Sequence, residues 1–411
     1  MKYRRLSFCF VVVMLLCLHA CQHPGKTANS TAFLSDTEGD KALIEIEFDY
    51  KSTDCLPLDS LMDDIFYVKL ETTGKNLIGQ ISQLLFVQDR MIVVDADISK
   101  SITVYDMSGK YLNSIGQFGP GPEDYTYIAH VTLSYDSSMV IVNDLGSKHL
   151  KYYSVDGHFI KAGNMLYPFS PFEFMTDNVI VSHNSSGNPV DKRDPSCKPC
   201  LAVINLSENS LVYSASQSFY REEFTRTSHF PVRKYGGKIF YNPSFSDTVY
   251  LVTSDGLYPR YHFTLKGIKP LTVNEHITNK IIDEYNALYP VFYGDIIELE
   301  DAVYFRYSEG MASWRSPWFR FFMYSKARSR VFCCNGVLHN PFFYFWSIPV
   351  ARYRENYIVV DIRPDGIIPK KDALYHLIEN LPPDKKGMLD ELYRDLTEDD
   401  NPVLFFYRVN I

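Results

Sequence analysis

One stretch decides the fold: Met91-Ile-Val-Val-Asp-Ala-Asp-Ile-Ser-Lys-Ser-Ile-Thr-Val-Tyr-Asp-Met-Ser-Gly-Lys-Tyr-Leu112. The chain repeats it 48 residues later, without a gap, as Met139-Val-Ile-Val-Asn-Asp-Leu-Gly-Ser-Lys-His-Leu-Lys-Tyr-Tyr-Ser-Val-Asp-Gly-His-Phe-Ile160. The residues that recur in place include Met91/Met139, Ser99/Ser147, Lys100/Lys148, Tyr105/Tyr153 and Gly109/Gly157. Each copy predicts three strands, with a turn ending in Ser-Lys and a turn ending in Gly. An antiparallel unit that recurs about every 40–50 residues is typical of a propeller blade.

A shorter signal extends this repeat along the chain: a polar or glycine-containing turn followed by a short apolar strand. The six strands that show it start at Met91, Met139, Val179, Ile239, Val303 and Tyr357. Their spacing predicts six blades, with longer connections in the third to fifth. We therefore predict an all-β fold, a six-bladed β-propeller that occupies residues 43–411.

Two segments interrupt the strand pattern. Apolar residues at helical spacing within 272–287 predict a helix near the junction of the fourth and fifth blades. A second helical pattern covers 372–396, and Pro382-Pro383 divides it into two helices before the last strand. That strand, within 401–409, is predicted to close the ring by pairing with an N-terminal strand in one blade, because closure removes exposed sheet edges.

The charge of the chain argues against nucleic acid as a partner. The formal net charge is −8, and residues 1–20 hold three basic residues and no acidic one. The remainder therefore has 38 basic against 49 acidic residues, or −11. A chain this acidic repels phosphate backbones, and no basic run interrupts it.

The N-terminus predicts export and a lipid anchor. Lys2, Arg4 and Arg5 precede an apolar core of about 13 residues, which suits a cleaved signal better than a membrane span of roughly 20 residues. The segment Leu18-His-Ala-Cys21 resembles a bacterial lipobox, so residues 1–20 are predicted to be a lipoprotein signal peptide and Cys21 the acylated residue. The alternative is an ordinary signal peptide with an incidental cysteine. Residues 21–42 are small and polar, which predicts a flexible tether.

Cys197 and Cys200 form a Cys-Lys-Pro-Cys motif within a predicted loop. No second such motif or histidine pair completes a metal site, so no metal centre is predicted. In an oxidising compartment a disulfide between the two cysteines is favoured over redox catalysis.

Several segments carry a family resemblance. They are Leu58-Asp-Ser-Leu61, Phe66-Tyr-Val-Lys-Leu-Glu-Thr-Thr73, Ile78-Gly-Gln-Ile81, Ile115-Gly-Gln-Phe-Gly-Pro-Gly-Pro-Glu-Asp-Tyr125, Asn242-Pro-Ser-Phe-Ser-Asp-Thr-Val-Tyr250 and Asp399-Asp-Asn-Pro-Val-Leu404. With them the chain resembles the six-bladed β-propeller lipoproteins of Bacteroidota, which are similar to NHL-repeat propellers. The resemblance implies a six-bladed ring in the cell envelope, lipid-anchored and most simply at the outer membrane. No acidic run follows Cys21, which favours the periplasmic side. The family implies no settled activity.

The candidate ligand site is an aromatic and basic segment, Met311-Ala-Ser-Trp-Arg-Ser-Pro-Trp-Phe-Arg-Phe-Phe-Met323. Trp314, Arg315, Trp318 and Arg320 are of the residue types that dominate recognition surfaces. The alternative is that these side chains pack between blades. Phe319 to Met323 alternates like a strand, whereas 314–318 is predicted to be an exposed turn.

No catalytic motif occurs, and we predict no catalytic residues and no cofactor. The sequence favours a monomeric binding module of the envelope for a carbohydrate, peptide or protein ligand. The alternative is a propeller enzyme, a lactonase, lyase or hydrolase, with a site in the central channel. Ca²⁺ would belong to that alternative, since the recurring turn aspartates could only hold it by converging from several blades. Aspartate is also a common turn former.

Overall fold

A computed structural model of the protein describes residues 39–51, 56, 58–165, 170–184, 199–215, 231–243, 246–269, 279–292, 294, 296–308, 319–334, 342, 345, 347–377 and 383–411. Within these ranges, six sheets form the blades of a six-bladed β-propeller, five of them with four strands and one with five. Among the helices of these ranges, none is long and apolar enough to cross a membrane.

Two N-terminal strands, β1 (Ile44–Phe48) and β2 (Met62–Lys69), precede the first blade. Blade 1 contains β3 (Gln83–Val87), β4 (Arg90–Asp95), β5 (Ser101–Asp106) and β6 (Tyr111–Ser114). Blade 2 contains β7 (Ile128–Leu133), β8 (Met139–Asp144), β9 (His149–Ser154) and β10 (Phe159–Asn164). Blade 3 contains β11 (Phe172–Phe174), β12 (Val179–His183), β13 (Leu201–Asn205) and β14 (Ser210–Ala215).

Blade 4 contains β15 (Val232–Tyr235), β16 (Lys238–Tyr241), β17 (Thr248–Val252) and β18 (Leu257–Leu265). Blade 5 contains β19 (Ile297–Glu298), β20 (Ala302–Ser308), β21 (Phe319–Ser325) and β22 (Arg330–Cys333). Blade 6 contains β23 (Ala351–Tyr353), β24 (Tyr357–Ile362), β25 (Val403–Val409) and, at its outer edge, β2. The first strands of neighbouring blades contact one another, as β11 does with β7 and β15, which places them around the axis.

The repeat predicted the blades correctly. Each of the six apolar strand starts falls in the second strand of a blade, namely β4, β8, β12, β16, β20 and β24. Helix α1 (Asn279–Asn286) lies between blades 4 and 5, as predicted, although 270–278 lie outside the described residues. A short helix α2 (Pro364–Ile367) was not predicted. It precedes α3 (Lys371–Leu377) and α4 (Pro383–Tyr393), which confirm the two helices expected before the last strand.

The ring closes through β2 and β25, as predicted. The two strands pair antiparallel, with Val68 opposite Leu404. Phe66 stacks on Phe406 with ring centroids 4.5 Å apart. Beyond the strands, the Asn410 amide donates to the Leu61 carbonyl at 2.9 Å. Strand β25, the last of the chain, thus pairs with β24 on one side and with the N-terminal strand β2 on the other, so neither of its edges is left unpaired.

The N-terminal strap, defined as the described residues of 44–69, runs along the outer edge of three blades. Strand β1 adds to blade 4 in parallel with β18, an arrangement that the sequence did not indicate. Further along, the Leu56 amide donates to the Cys333 carbonyl of blade 5 at 3.2 Å. Strand β2 then completes blade 6. The strap therefore ties blades 4, 5 and 6 together from outside.

The repeated tyrosine holds each blade to the connection before it. Tyr105 and Tyr153 are both fully buried, on the third strands of blades 1 and 2. The Tyr153 hydroxyl donates to the Glu123 carbonyl at 2.6 Å, and the Tyr105 hydroxyl to the Asn76 carbonyl at 3.4 Å. A buried phenol needs such a partner, so both copies keep the ring and its hydroxyl.

Candidate functional site

The two faces of the ring carry very different connections. Because the strands of a blade alternate in direction, its first and second strands join on one face and its second and third on the other. On the first face, called the short-turn face, the chain passes between described strands in two to five residues, from 88–89 to 134–138. Apart from the strap between β1 and β2, which follows the outer edge of blade 5, every longer connection between described strands begins and ends at the opposite face, called the long-connection face. These connections are 70–82, 115–127, 165–171, 184–200, 216–231, 242–247, 266–296, 309–318, 334–350 and 363–402.

Aspartates at the ends of β4 and β8 organise the long-connection face in blades 1 and 2. The Asp95 carboxylate accepts the Gly79 amide at 2.7 Å and the Ile98 amide at 2.9 Å. Asp144 plays the same part, accepting the Thr126 hydroxyl at 2.9 Å. Burial acts to raise the pKa of Asp95, but its backbone hydrogen bonds outweigh this and hold the pKa below the ordinary value. These side chains act as turn formers.

Asp106 and Asp136 also bond locally, each accepting the amide of the residue two positions on, Ser108 and Ser138. In the part of the chain that the structure describes, no three His, Cys, Asp or Glu side chains are grouped so that they could hold a metal ion.

A pocket opens on the long-connection face where blade 4 meets blade 5. Its volume is about 90 Å³. The walls come from the start of β17, the end of β18, helix α1 and the segment before β19. The described lining residues are Asp247, His262, Phe263, Thr264, Leu265, Ile268, Tyr285, Pro290, Val291 and Phe292. Most of the wall is apolar, with one carboxyl group in it.

Asp247 is that carboxyl group. It is half-buried, and its Oδ1 accepts the Tyr307 hydroxyl at 3.3 Å. Burial raises the pKa of Asp247 to about 6, although His262 and Tyr307 oppose the shift. The His262 imidazole is already engaged, since its Nδ1 lies 3.0 Å from Thr248 Oγ1. A carboxylate can accept about four hydrogen bonds, so Asp247 retains acceptor capacity in the pocket.

A second polar cluster lies on the innermost strands of blades 2, 3 and 4. Thr132 donates its hydroxyl to Glu173 Oε2 at 2.8 Å. Lys234 donates to the Phe174 carbonyl at 3.0 Å and interacts with the Glu173 charge. Burial raises the pKa of Glu173 to about 7, against the opposing effects of Thr132 and Lys234. The carboxyl is thus poised between its two protonation states near neutral pH.

The predicted ligand residues are only partly within the described structure. Trp314, Arg315 and Trp318 lie outside the described residues. The strands that flank them, β20 and β21, end and begin at the long-connection face. Arg320, on β21, donates to the Tyr50 carbonyl at 2.6 Å, and its guanidinium lies 5.4 Å from the centre of the Tyr50 ring. Arg320 therefore holds the N-terminal strap.

Of the two cysteines predicted to form a disulfide, only Cys200 lies within the described residues. Cys200 is buried, with its Sγ 3.1 Å from the Ala215 carbonyl, while Cys197 lies outside the described residues. Their disulfide stays a prediction, as does acylation of Cys21, which also lies outside the described range.

The sequence reasoning missed Asp247 and Glu173 as candidate site residues. Asp247 lies within the segment Asn242 to Tyr250, which the family resemblance had singled out. Glu173 carries no local signal, because its partners come from strands about 40 and 60 residues away along the chain.

Comparison with known protein families identifies the family of this chain. Residues 42–408 match a family described as a domain of unknown function, DUF4934. The chain belongs to the DUF4934 family. Among proteins of curated function, none matches this chain.

Two solved structures show the same fold. One is a protein of Bacteroides fragilis NCTC 9343 that carries the provisional name of an exported protein. It is 18% identical, with a TM-score of 0.70, and the match covers 90% of this chain and 100% of that one. The other, a DUF4221 family member from Bacteroides vulgatus, is 14% identical, with a TM-score of 0.53 and coverage of 85% and 97%. At these identities the likeness concerns the fold alone.

Proposed function

We propose that this DUF4934 protein is an exported, lipid-anchored propeller of the outer membrane that binds a protein, peptide or glycan ligand through its long-connection face. The observation that carries the proposal is the segregation of the longer connections, and of the apolar pocket, to one face. Loops held by a rigid scaffold are where binding residues concentrate, and connections of this length in a compact domain are usually functional. The short-turn face offers no comparable surface among the described strands.

The N-terminus supports this orientation. Lys41 Nζ lies 3.4 Å from Asp255 and 4.0 Å from the centre of the Tyr258 ring. Asp255 belongs to the turn between β17 and β18, on the short-turn face. A tether over 21–42 would thus join the ring on the face opposite the long connections, which would leave those connections accessible to a ligand.

Export and anchoring rest on residues 1–21. The charged start, short apolar core and Cys21 are what a lipoprotein signal requires. The provisional name of the Bacteroides fragilis relative agrees with export. The sequence after Cys21, which holds no acidic run, favours the periplasmic side.

Within the long-connection face, the proposed ligand contacts are Trp314, Arg315 and Trp318, in the connection between β20 and β21. Arg320 is the fourth proposed contact, and its bond to the Tyr50 carbonyl also links it to the strap.

A double variant tests the ligand contacts. Trp314→Ala with Trp318→Ala is expected to lose signal on a glycan and peptide array while melting like the wild type. A recognition tryptophan commonly contributes about 2 kcal/mol or more, roughly thirtyfold in affinity. Arg352→Ala is the control: its guanidinium donates to the Glu298 carbonyl at 2.7 Å, so the variant is expected to lower the melting temperature and keep the array signal. A large fall in melting temperature for the tryptophan variant would instead place both rings in the core, where truncation costs about 3–5 kcal/mol.

Glu173 favours a second candidate, hydrolase, lactonase or lyase chemistry in the central channel. A general acid or base works best with a pKa near the operating pH, and the pKa of Glu173 is raised to about 7 beside Thr132 and Lys234. Turnover of a lactone or ester panel that Glu173→Gln abolishes would establish it. Stoichiometric Ca²⁺ in the purified protein would support the same candidate. No turnover by the wild type on any panel member would reject it.

A further inference from the structure

The pocket between blades 4 and 5 combines an apolar wall with the Asp247 carboxyl group, which among the described lining residues faces the His262 imidazole but no lysine or arginine. Phe263, Val291 and Phe292 are each less than 10% exposed and form part of a packed wall. Leu265 and Ile268 extend it toward the surface. None of the ten described lining residues is a lysine or an arginine. A carboxylate in such a setting is desolvated without compensation by a fixed positive charge.

From this arrangement we infer that the pocket binds a primary alkylammonium group, the chemistry of a lysine side chain on a protein or peptide ligand. The inference rests on the proposed function, since it names the part of the ligand that this pocket of the long-connection face receives. An alkylammonium matches both features. Its methylene stem fits the apolar wall, and its three N–H donors fill the acceptor capacity of Asp247.

Charge separates this ligand from its alternatives. An anionic group would meet the Asp247 carboxylate, and like charges at close range repel strongly where the dielectric is low. A neutral apolar group would desolvate the carboxylate further and give it no hydrogen bond. An ammonium group compensates for the desolvation, and bonds between charged partners are roughly twice as strong as neutral ones.

The other polar groups of the pocket leave this role to Asp247. His262 is bonded to Thr248 through Nδ1, and the Tyr285 hydroxyl donates to the Lys269 carbonyl at 2.9 Å. The Tyr307 hydroxyl reaches Asp247 from the blade 5 side and fixes the orientation of the carboxylate. The rings of Phe263 and Phe292, whose centroids lie 4.9 Å apart, complete the aromatic part of the wall.

The test uses three small probes of similar size and one lysine derivative on the full mature chain at pH 8, above the pKa of Asp247. They are n-butylammonium, 1-pentanol, pentanoate and Nα-acetyl-lysine methylamide, each titrated by NMR chemical-shift change. Wild-type protein is expected to bind both ammonium probes at least about tenfold more tightly than pentanol, with pentanoate weaker still. Asp247→Asn is expected to lose that preference.

The matched control is Asp361→Asn. Asp361 is another half-buried aspartate, on β24 of blade 6, whose pKa burial likewise raises to about 6. It lies outside the pocket lining, so its variant should bind like the wild type. Retained ammonium preference in Asp247→Asn, or tighter binding of pentanoate than of n-butylammonium, would overturn the inference. If Asp247→Asn fails to fold, Leu265→Lys, which places a positive charge on the pocket wall, replaces it and is expected to abolish the ammonium preference by repulsion.

The outcome is separable from the proposed function. Loss of array binding in the tryptophan variant, with no ammonium preference in the pocket, would leave the long-connection face as the binding surface and overturn only the lysine assignment. Binding of n-butylammonium but not of the lysine derivative would assign the pocket to a small free amine and would likewise overturn the lysine assignment.

Discussion

Gly109 lies so close to Lys69 that a Cβ atom on residue 109 would stand 2.1 Å from the Lys69 carbonyl oxygen. Gly157, its repeat partner, stands in the same relation to Ser114, at 2.2 Å. Ser114 ends the last strand of blade 1, whereas Lys69 ends β2, the outer strand of blade 6. Blade 1 therefore contacts β2 of blade 6 through Gly109 in the same way that blade 2 contacts blade 1 through Gly157. The closing interface of the ring is built like an internal one.

Gly109→Ala tests this interface. Residue 109 has a φ of +87°, so alanine would be strained and would also overlap the Lys69 carbonyl. We expect destabilisation of about 2–5 kcal/mol, from left-handed strain of about 1–2 kcal/mol plus overpacking of about 1–3 kcal/mol. Gly236→Ala is the control, since residue 236 has a φ of +54° with nothing within 4 Å of the added atom. Unfolding free energies are measured by chemical denaturation. If both variants lose the same amount of unfolding free energy, the close contact of residue 109 with Lys69 contributes nothing to stability.

Closure by β25 makes a separate prediction. Phe406 is fully buried and stacks on Phe66 across the two strands that close the ring. Phe406→Ala should cost about 3–5 kcal/mol of unfolding free energy, and deletion of 401–411 should cause aggregation or loss of cooperative melting. Tyr127→Ala, at a residue 57% exposed, should change stability by less than about 0.5 kcal/mol. A truncated chain that melts like the wild type would refute closure.

The blades could be predicted because their signals are local. A turn and a short apolar strand recur along the chain, and the four strands common to each of blades 1 to 5 follow one another in the sequence. The parallel addition of β1 to β18 could not be predicted. It pairs Ile46 with Phe263, more than 200 residues apart, and no turn connects the two strands to mark the pairing.

The candidate site was less accessible to sequence reasoning. Asp247 and Tyr307 meet only because blades 4 and 5 are adjacent, and neither lies in a motif of chemical function. Arg320 was grouped with its tryptophan neighbours on composition. Its bond to Tyr50 could not be predicted, because Tyr50 lies 270 residues earlier, in a strap whose course depends on the closed ring.

Glu173 predicts a pH dependence of stability. Its pKa is about 7 in the folded protein against 4.5 ordinarily, so the folded state holds the extra proton between these values. Its stabilising effect is present at low pH and is lost as the pH rises from about 4.5 through 7. Glu173→Gln should therefore flatten this part of the curve of unfolding free energy against pH. Glu208→Gln, at an exposed turn, is the control and should leave the curve unchanged. A curve for Glu173→Gln that is identical to the wild-type curve would contradict the raised pKa of Glu173.

Cys21→Ser tests the anchor. Acylation requires the thiol, so the variant should lose metabolic labelling by a fatty-acid analogue and move from the membrane fraction to the soluble one. Cys200→Ser is the control, and it should keep the label. Unchanged membrane association of the Cys21 variant would refute the lipid tether.

The most direct test of the central claim, that the long-connection face binds the ligand, is site-specific photo-crosslinking in the cell that makes the protein. A photoreactive residue would replace Asp97 or Lys148, exposed on the long-connection face, and Asp89 or Glu208, exposed on the short-turn face. The account predicts a shared crosslinked macromolecule from the first pair and none from the second. Crosslinks of equal yield from both pairs, or from the short-turn face alone, would contradict it.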